Sequence, residues 1–131
     1  MFGMTDEDLF VFLGAVSNDT VLGVEEATLI ADDEVFDEIG LHAETSKIKG
    51  CLFFARKGAY FYTEPKNVHY DWQRQLFKFK KLKTPSFVCD AKKKTLTVEF
   101  TSKSGKAMTF TLALEREATG LTQAFAEYSY Q

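Results

Sequence analysis

The spacing of apolar residues changes period twice along the chain, and each change indicates a switch between helix and strand. Thr5 can cap an N-terminal helix. The apolar side chains that follow it fall on one helical face: Leu9, Phe12, Leu13 and Val16. Near the C-terminus a second set steps by four, three, four and three residues, which predicts an amphipathic helix: Leu114, Ala118, Leu121, Phe125 and Tyr128.

Between these helices the chain has the pattern of short strands separated by turns. Cys51–Ala55 and Ala59–Thr63 flank a tight turn and predict a hairpin. Further strands are predicted over residues 76–82, 86–90, 95–101 and 108–114, where apolar and polar residues alternate. We therefore expect a mainly β (α+β) fold of about seven antiparallel strands, with one face in the core and one in water.

Residues 20–41 do not fit one period. Residues 20–31 suit either a helix or a strand, and Asp32-Asp33-Glu34 suits either a helical turn or the approach to a strand. A chain of 131 residues is the size of one domain. Our interpretation is an acidic helical segment over 1–31, followed by a β domain with its C-terminal helix over 32–131, in one compact unit.

Charge is divided unevenly along the chain. Residues 1–46 hold twelve Asp/Glu and no Lys or Arg, whereas residues 47–131 hold sixteen Lys/Arg and seven Asp/Glu. The first segment is therefore net −12 and the second net +9. Either the two segments neutralise each other in the fold, or each faces a partner of opposite charge.

Compartment is predicted from what the sequence lacks. Cys51 and Cys89 lie in apolar runs and are expected to be small buried hydrophobes. The N-terminus lacks the positive region of a signal peptide, and no apolar run approaches 18 residues. We expect a cytoplasmic protein without a transmembrane segment, and peripheral membrane attachment is the alternative.

The order of the segments resembles that of pleckstrin-homology-like (PH-like) domains, closer to the GRAM and bacterial PH variants, over roughly residues 33–129. The matching parts are Asp33-Glu34-Val35 before a first strand, Lys49–Arg56 as second strand and turn, Tyr60-Phe61-Tyr62, Phe77-Lys78-Phe79, and the strands Leu96–Phe100 and Met108–Leu112 around Ser104-Gly105-Lys106. The resemblance implies a sandwich or partly open barrel with the terminal helix closing one end. Another small β-sandwich or barrel stays open as an alternative.

Two departures separate the chain from phosphoinositide-binding PH domains. Those domains carry a Lys/Arg-x-Arg on the second strand, whereas Cys51-Leu52-Phe53-Phe54 holds no base before Arg56. The family's Trp in the terminal helix is also absent, and Phe125 stands in that helix instead. The lipid site is therefore not transferred residue by residue.

Basic residues of the loops form the first candidate site. The resemblance implies that the first, third and sixth loops share one end of the fold, which would gather six residues: Lys47, Lys49, Lys66, Arg74, Lys103 and Lys106. Such a cluster attracts a phosphoinositide-bearing membrane surface or an acidic protein segment. The alternative is that these lysines only solvate turns and edges. Nucleic acid is not the expected partner, because the N-terminal segment repels phosphate.

A second candidate is a small-ligand pocket, of a binding protein or an enzyme, in the loop that carries His69, Tyr70 and Trp72. The alternative is that these rings cover the open end of the barrel. The two Cys and two His residues have no zinc-ligand spacing, no nucleophile–base pair is recognisable, and no cofactor is implied. We expect a non-catalytic binding or adaptor module for an acidic partner. The other interpretation is a protein-interaction or structural subunit whose acidic N-terminus packs on the basic domain.

Overall fold

Seven antiparallel strands form one open sheet in the part of the chain that the computed structural model describes, residues 3–64 and 74–127. The elements follow in this order: α1 Asp6–Ser17, β1 Val21–Ile30, α2 Asp33–Ile39, β2 Lys47–Ala55, β3 Gly58–Thr63, β4 Gln75–Lys78, a 3-10 turn at Phe79–Lys81, β5 Lys83–Asp90, β6 Thr95–Thr101, β7 Ala107–Leu114 and α3 Gly120–Glu127.

The strands are ordered β4-β3-β2-β1-β7-β6-β5, so β1 is the central strand and β4 and β5 are the edges. One side of β1 pairs with β2 from Val21 to Ile30, and the other side pairs with β7 from Ala27 to Ile30. The predicted mainly β fold with an N-terminal and a C-terminal helix is confirmed. Its single open sheet matches a partly open barrel of the PH-like type.

The interpretation of residues 1–31 as a helical segment is correct for α1 and wrong for β1. The strand expected after Asp33-Glu34-Val35 is also wrong, because these residues begin α2. Asp32 caps this helix, since its Oδ1 accepts a hydrogen bond from the Val35 N–H at 2.9 Å. Gly40 ends it in the left-handed conformation at φ 77°.

The main core lies on the face of the sheet that packs against α2 and α3. It joins alternate residues of all seven strands with apolar side chains of α2 and α3. Phe125 of α3 is 8% exposed. The centroid of its ring lies 5.5 Å from the ring centroids of Phe54 and Phe79 and 4.3 Å from that of Phe87. The C-terminal helix therefore closes this core with a phenylalanine.

A second core lies on the outer face, under α1. Leu9 and Leu13 pack against the outward side chains of the β2–β3 hairpin, including Phe53, Tyr60 and Tyr62. The expectation of one face in water is therefore wrong for this hairpin, which is buried on both faces over residues 51–55 and 59–63. It is correct for β6 and β7, where buried positions alternate with more exposed ones.

The chain between the two edge strands also differs from the predicted pattern. The strand predicted over residues 76–82 ends at Lys78, where a 3-10 turn begins. Strand β5 starts at Lys83 instead of Ser86, and its register against β6 shifts between these two residues. Thr84 has a φ of 46° at this shift. The irregular pairing explains why alternation alone did not place the start of β5.

Candidate functional site

Lys47 and Lys49 lie at the start of β2, opposite Ile30 and Thr28 of β1. Both side chains are exposed, on the outer face of the sheet, because the alternate residues Ile48 and Gly50 face inward. No carboxylate of the described residues lies within 4.0 Å of either ammonium group. These two members of the predicted cluster therefore keep their charge available to solvent.

Arg74 is held by an acidic neighbour just before β4. Its Nε lies 3.4 Å from Glu64 Oε1. The same carboxylate oxygen accepts a hydrogen bond from the Tyr62 hydroxyl at 2.6 Å. Burial, and then this hydrogen bond, raise the pKa of Tyr62 above its usual range. The Arg74 charge is therefore partly neutralised within the fold.

The turn between β6 and β7 packs against the acidic helix α2. Lys106 Nζ donates to both carboxylate oxygens of Glu34, at 2.7 and 2.9 Å. This hydrogen bond raises the pKa of Lys106. In the same turn the Lys103 N–H donates to Glu38 Oε2 at 3.0 Å. Part of the acidic segment thus contacts two members of the predicted cluster directly.

The described residues of the predicted basic cluster thus do not all carry a free positive charge. Arg74 and Lys106 each pair with a carboxylate, while Lys47, Lys49 and the Lys103 ammonium group have none within 4.0 Å among the described residues. Lys66 and the pocket residues His69, Tyr70 and Trp72 lie outside the described residues.

Sequence reasoning left a second basic surface out of the candidate site. Residues 75–89 contain four lysines and no acid, and all four side chains are exposed along β4, the 3-10 turn and the start of β5. We call them the lysine strip: Lys78, Lys80, Lys81 and Lys83. Within the described part of the chain, no carboxylate lies within 4.0 Å of their ammonium groups. The absence of acids from this stretch is a sequence signal that could have identified it.

Asp19 fixes the loop before β1 to the β2–β3 turn. Its Oδ2 accepts hydrogen bonds from the Lys57 N–H and the Tyr60 hydroxyl, both at 2.9 Å. Its Oδ1 accepts from the Thr20 N–H at 2.7 Å. Burial acts to raise the pKa of Asp19, but these hydrogen bonds outweigh it and leave the pKa lowered. The carboxylate therefore organises the backbone at this end of the barrel.

The expected burial of both cysteines is correct for Cys51, whereas Cys89 is only half-buried and packs against the main core. Cys51 is fully buried in the outer core, and burial raises the pKa of its thiol to about 12. Burial also raises the pKa of Cys89. A thiol with a raised pKa carries little thiolate at neutral pH, which is unfavourable for nucleophilic chemistry.

Among the described residues, no group of three or more His, Cys, Asp or Glu is placed to hold a metal ion. No helix in the described ranges is both long enough and apolar enough to cross a membrane.

Comparison with known proteins assigns no family. No protein-family model, curated protein or solved structure matches the chain. Membership of the PH-like family therefore stays a prediction that rests on the order and type of the elements.

Proposed function

We propose that the chain is a non-catalytic binding module that takes an acidic partner on its exposed lysines. The observation that carries this proposal is the lack of internal neutralisation. The lysine strip, Lys47 and Lys49 have no carboxylate within 4.0 Å among the described residues, although the N-terminal segment supplies twelve acids. The acidic side chains of that segment that do form contacts bind other groups. Glu34, for example, accepts a hydrogen bond from Lys106.

The magnitude of such binding follows from the number of lysines. Each base near an anionic membrane surface contributes about 1 kcal/mol. Four lysines therefore contribute about 4 kcal/mol, which corresponds to a dissociation constant in the millimolar range. We expect weak binding that salt weakens further, unless the partner makes additional contacts.

An acidic protein segment is the better candidate partner. A phosphoinositide headgroup needs several bases that converge on one phosphate-bearing ring, and Arg74 and Lys106 of the predicted cluster are paired with Glu64 and Glu34. An extended acidic segment needs only a row of exposed bases, which the lysine strip provides. The phosphoinositide-bearing membrane is the competing partner in the test.

A structural subunit without an acidic partner is the second candidate function. It is favoured by the contacts of the acidic segment within the fold, where Glu38 accepts from the Lys103 N–H and Glu25 accepts from the Thr119 N–H. Removing residues 1–46 does not distinguish the candidates, because that change also removes the central strand β1. Substitutions in the full-length chain are required.

The test measures binding of the full chain at low and at physiological salt. The probes are phosphatidylcholine vesicles with and without a phosphoinositide, and poly-glutamate as an acidic polypeptide. We expect poly-glutamate to bind at low salt, and the double variant Lys80→Glu/Lys81→Glu to weaken binding at least tenfold. The double variant Lys92→Glu/Lys93→Glu makes the same change in net charge in the β5–β6 turn and is the matched control.

Three results would count against the proposal. If no probe binds at low salt, the structural subunit is the remaining candidate function. An equal loss in both double variants would show an unspecific charge effect instead of a site. Binding to phosphoinositide vesicles but not to poly-glutamate would replace the protein partner with a membrane.

A further inference from the structure

A groove of about 420 Å³ lies where the β2–β3 turn faces α3. Its lining includes the buried residues Phe54, Ala59 and Phe125. Leu22, just inside β1, and Leu121, on α3, line it as well and are 53% and 42% exposed. The groove therefore combines a buried apolar floor with two leucines that are only partly covered.

Exposed leucines that share one groove with buried apolar residues favour a binding surface over scattered surface residues. Leu121 lies directly over the backbone of β1, because a Cβ built on Gly23 would be 2.4 Å from Leu121 Cδ1. The glycine thus allows the leucine to occupy its place beside the groove. A methyl group at Gly23 would displace the flexible end of that side chain without touching backbone.

The β2–β3 turn places basic residues in the lining of the same groove. Arg56 and Lys57 line it, and both are exposed. The turn is held in position, since the Arg56 N–H donates to the Thr20 carbonyl at 3.1 Å and the Lys57 N–H donates to Asp19. In the described ranges no carboxylate lies within 4.0 Å of the Arg56 guanidinium. An anion next to the apolar floor would therefore meet a guanidinium that is not paired with a carboxylate of the described residues.

We infer that this groove takes an apolar side chain of an acidic protein segment, with a neighbouring carboxylate of that segment on Arg56. The inference rests on the proposed function and deepens it, because it names the part of the partner that gives specificity. Charge complementarity selects a partner in which acids flank a leucine or phenylalanine. The apolar contact supplies affinity that salt does not remove, which the lysine strip alone lacks.

Two labelled peptides test the inference by fluorescence polarisation with the full chain at physiological salt. Both are rich in glutamate, and one carries a central Leu-Phe pair where the other carries Ser-Ser. We expect the Leu-Phe peptide to bind about tenfold or more tightly, as burial of one large apolar side chain would give. The methyl resonances of Leu22 and Leu121 should shift with this peptide and not with its Ser-Ser counterpart.

Variants locate the effect on the molecule. Gly23→Ala, which displaces Leu121, and Leu121→Ser should each remove the preference for the Leu-Phe peptide while leaving binding of the Ser-Ser peptide unchanged. Arg56→Glu should weaken binding of the Leu-Phe peptide more than binding of the Ser-Ser peptide. Val11→Ser is the matched control, because Val11 is an apolar helix residue, 74% exposed, that does not line the groove.

Failure of the inference is distinguishable from failure of the proposed function. Equal binding of the two peptides, sensitive to Lys80→Glu/Lys81→Glu, would overturn the groove and leave the lysine strip as the binding surface. A preference that survives both Gly23→Ala and Leu121→Ser would also overturn the groove. If neither peptide binds even at low salt, the proposed acidic protein partner is overturned as well.

Discussion

At the residue scale, Gly50 is a position in β2 where β3 leaves no room for a side chain. A Cβ built there would lie 2.3 Å from the Tyr62 carbonyl oxygen and 2.7 Å from Phe61 Cζ. The carbonyl is backbone, so it cannot move aside without disturbing the β2–β3 pairing. We expect Gly50→Ala to lower the free energy of unfolding by about 2 kcal/mol or more, as overpacking of a core does. Urea denaturation followed by circular dichroism measures the loss.

Gly120 provides the matched control for this substitution. It is the first residue of α3, and a Cβ built there meets no atom within 4 Å. Gly120→Ala should therefore leave the stability unchanged or raise it by up to about 1 kcal/mol. If Gly50→Ala has the same urea midpoint as the wild-type chain, the close approach of β2 to β3 at Gly50 is wrong.

At the element scale, α3 depends on a side chain from a strand far away in sequence. A helix of eight residues is too short to be stable alone in water. Glu25 of β1 accepts hydrogen bonds at the N-terminus of this helix. Its Oε1 accepts one from the Thr119 N–H at 2.9 Å, and its other oxygen accepts one from the Thr122 hydroxyl. A carboxylate at this position also interacts favourably with the helix dipole.

Glu25→Gln should therefore loosen α3 without unfolding the sheet. The amide removes the negative charge and one acceptor, which we expect to cost about 1 kcal/mol. Hydrogen exchange should become faster in α3 and stay unchanged in β6 and β7. Glu26→Gln is the control, since that side chain is exposed on the outer face. Equal effects of the two variants would mean that Glu25 contributes only net charge.

Elements with a local signal were the ones that the sequence predicted well. The period of α1 and the alternation in β6 and β7 reflect contacts that each segment makes along its own length. The C-terminal helix is shorter than its apolar stripe predicted, because Leu114 ends β7, Ala118 precedes α3, and only Leu121 and Phe125 of the stripe lie in the described helix. Strand β1 lacked such a signal because Glu25 and Glu26 interrupt its apolar residues, and pairing with β2 and β7 on both sides determines its conformation. The cap at Asp32 and the stop at Gly40 were available signals for α2.

The candidate site shows the same limit. The loop lysines of the described residues are exposed, as both interpretations of the sequence required, but the sequence did not indicate which of them meet an acid. Lys106 pairs with Glu34, 72 positions away, and this contact depends on where the turn between β6 and β7 meets α2. Such a pairing follows from the arrangement of the elements and has no pattern in the surrounding residues.

At the scale of the whole molecule, the charge division coincides with a structural dependence. Residues 1–46 contain α1, the central strand β1 and α2, whereas the described part of residues 47–131 contains the other six strands of the sheet and α3. Without β1, the three-stranded sets β4-β3-β2 and β7-β6-β5 lose the strand that joins them. We expect a chain that begins at residue 47 to lack cooperative unfolding, measured by circular dichroism during heating.

The two fragments should nevertheless recognise each other. Net charges of −12 and +9 attract at long range when salt is low, since the Debye length is about 30 Å at 0.01 M and about 10 Å at 0.1 M salt. Mixing the separate fragments 1–46 and 47–131 should restore β-sheet ellipticity, and the restoration should be faster at low salt.

A 1–46 fragment with Leu29→Asp keeps the acidic character but places a charge at a position that is 0% exposed. It should bind without restoring the sheet. Equal restoration by both fragments would mean that charge alone, and not insertion of β1, produces the signal.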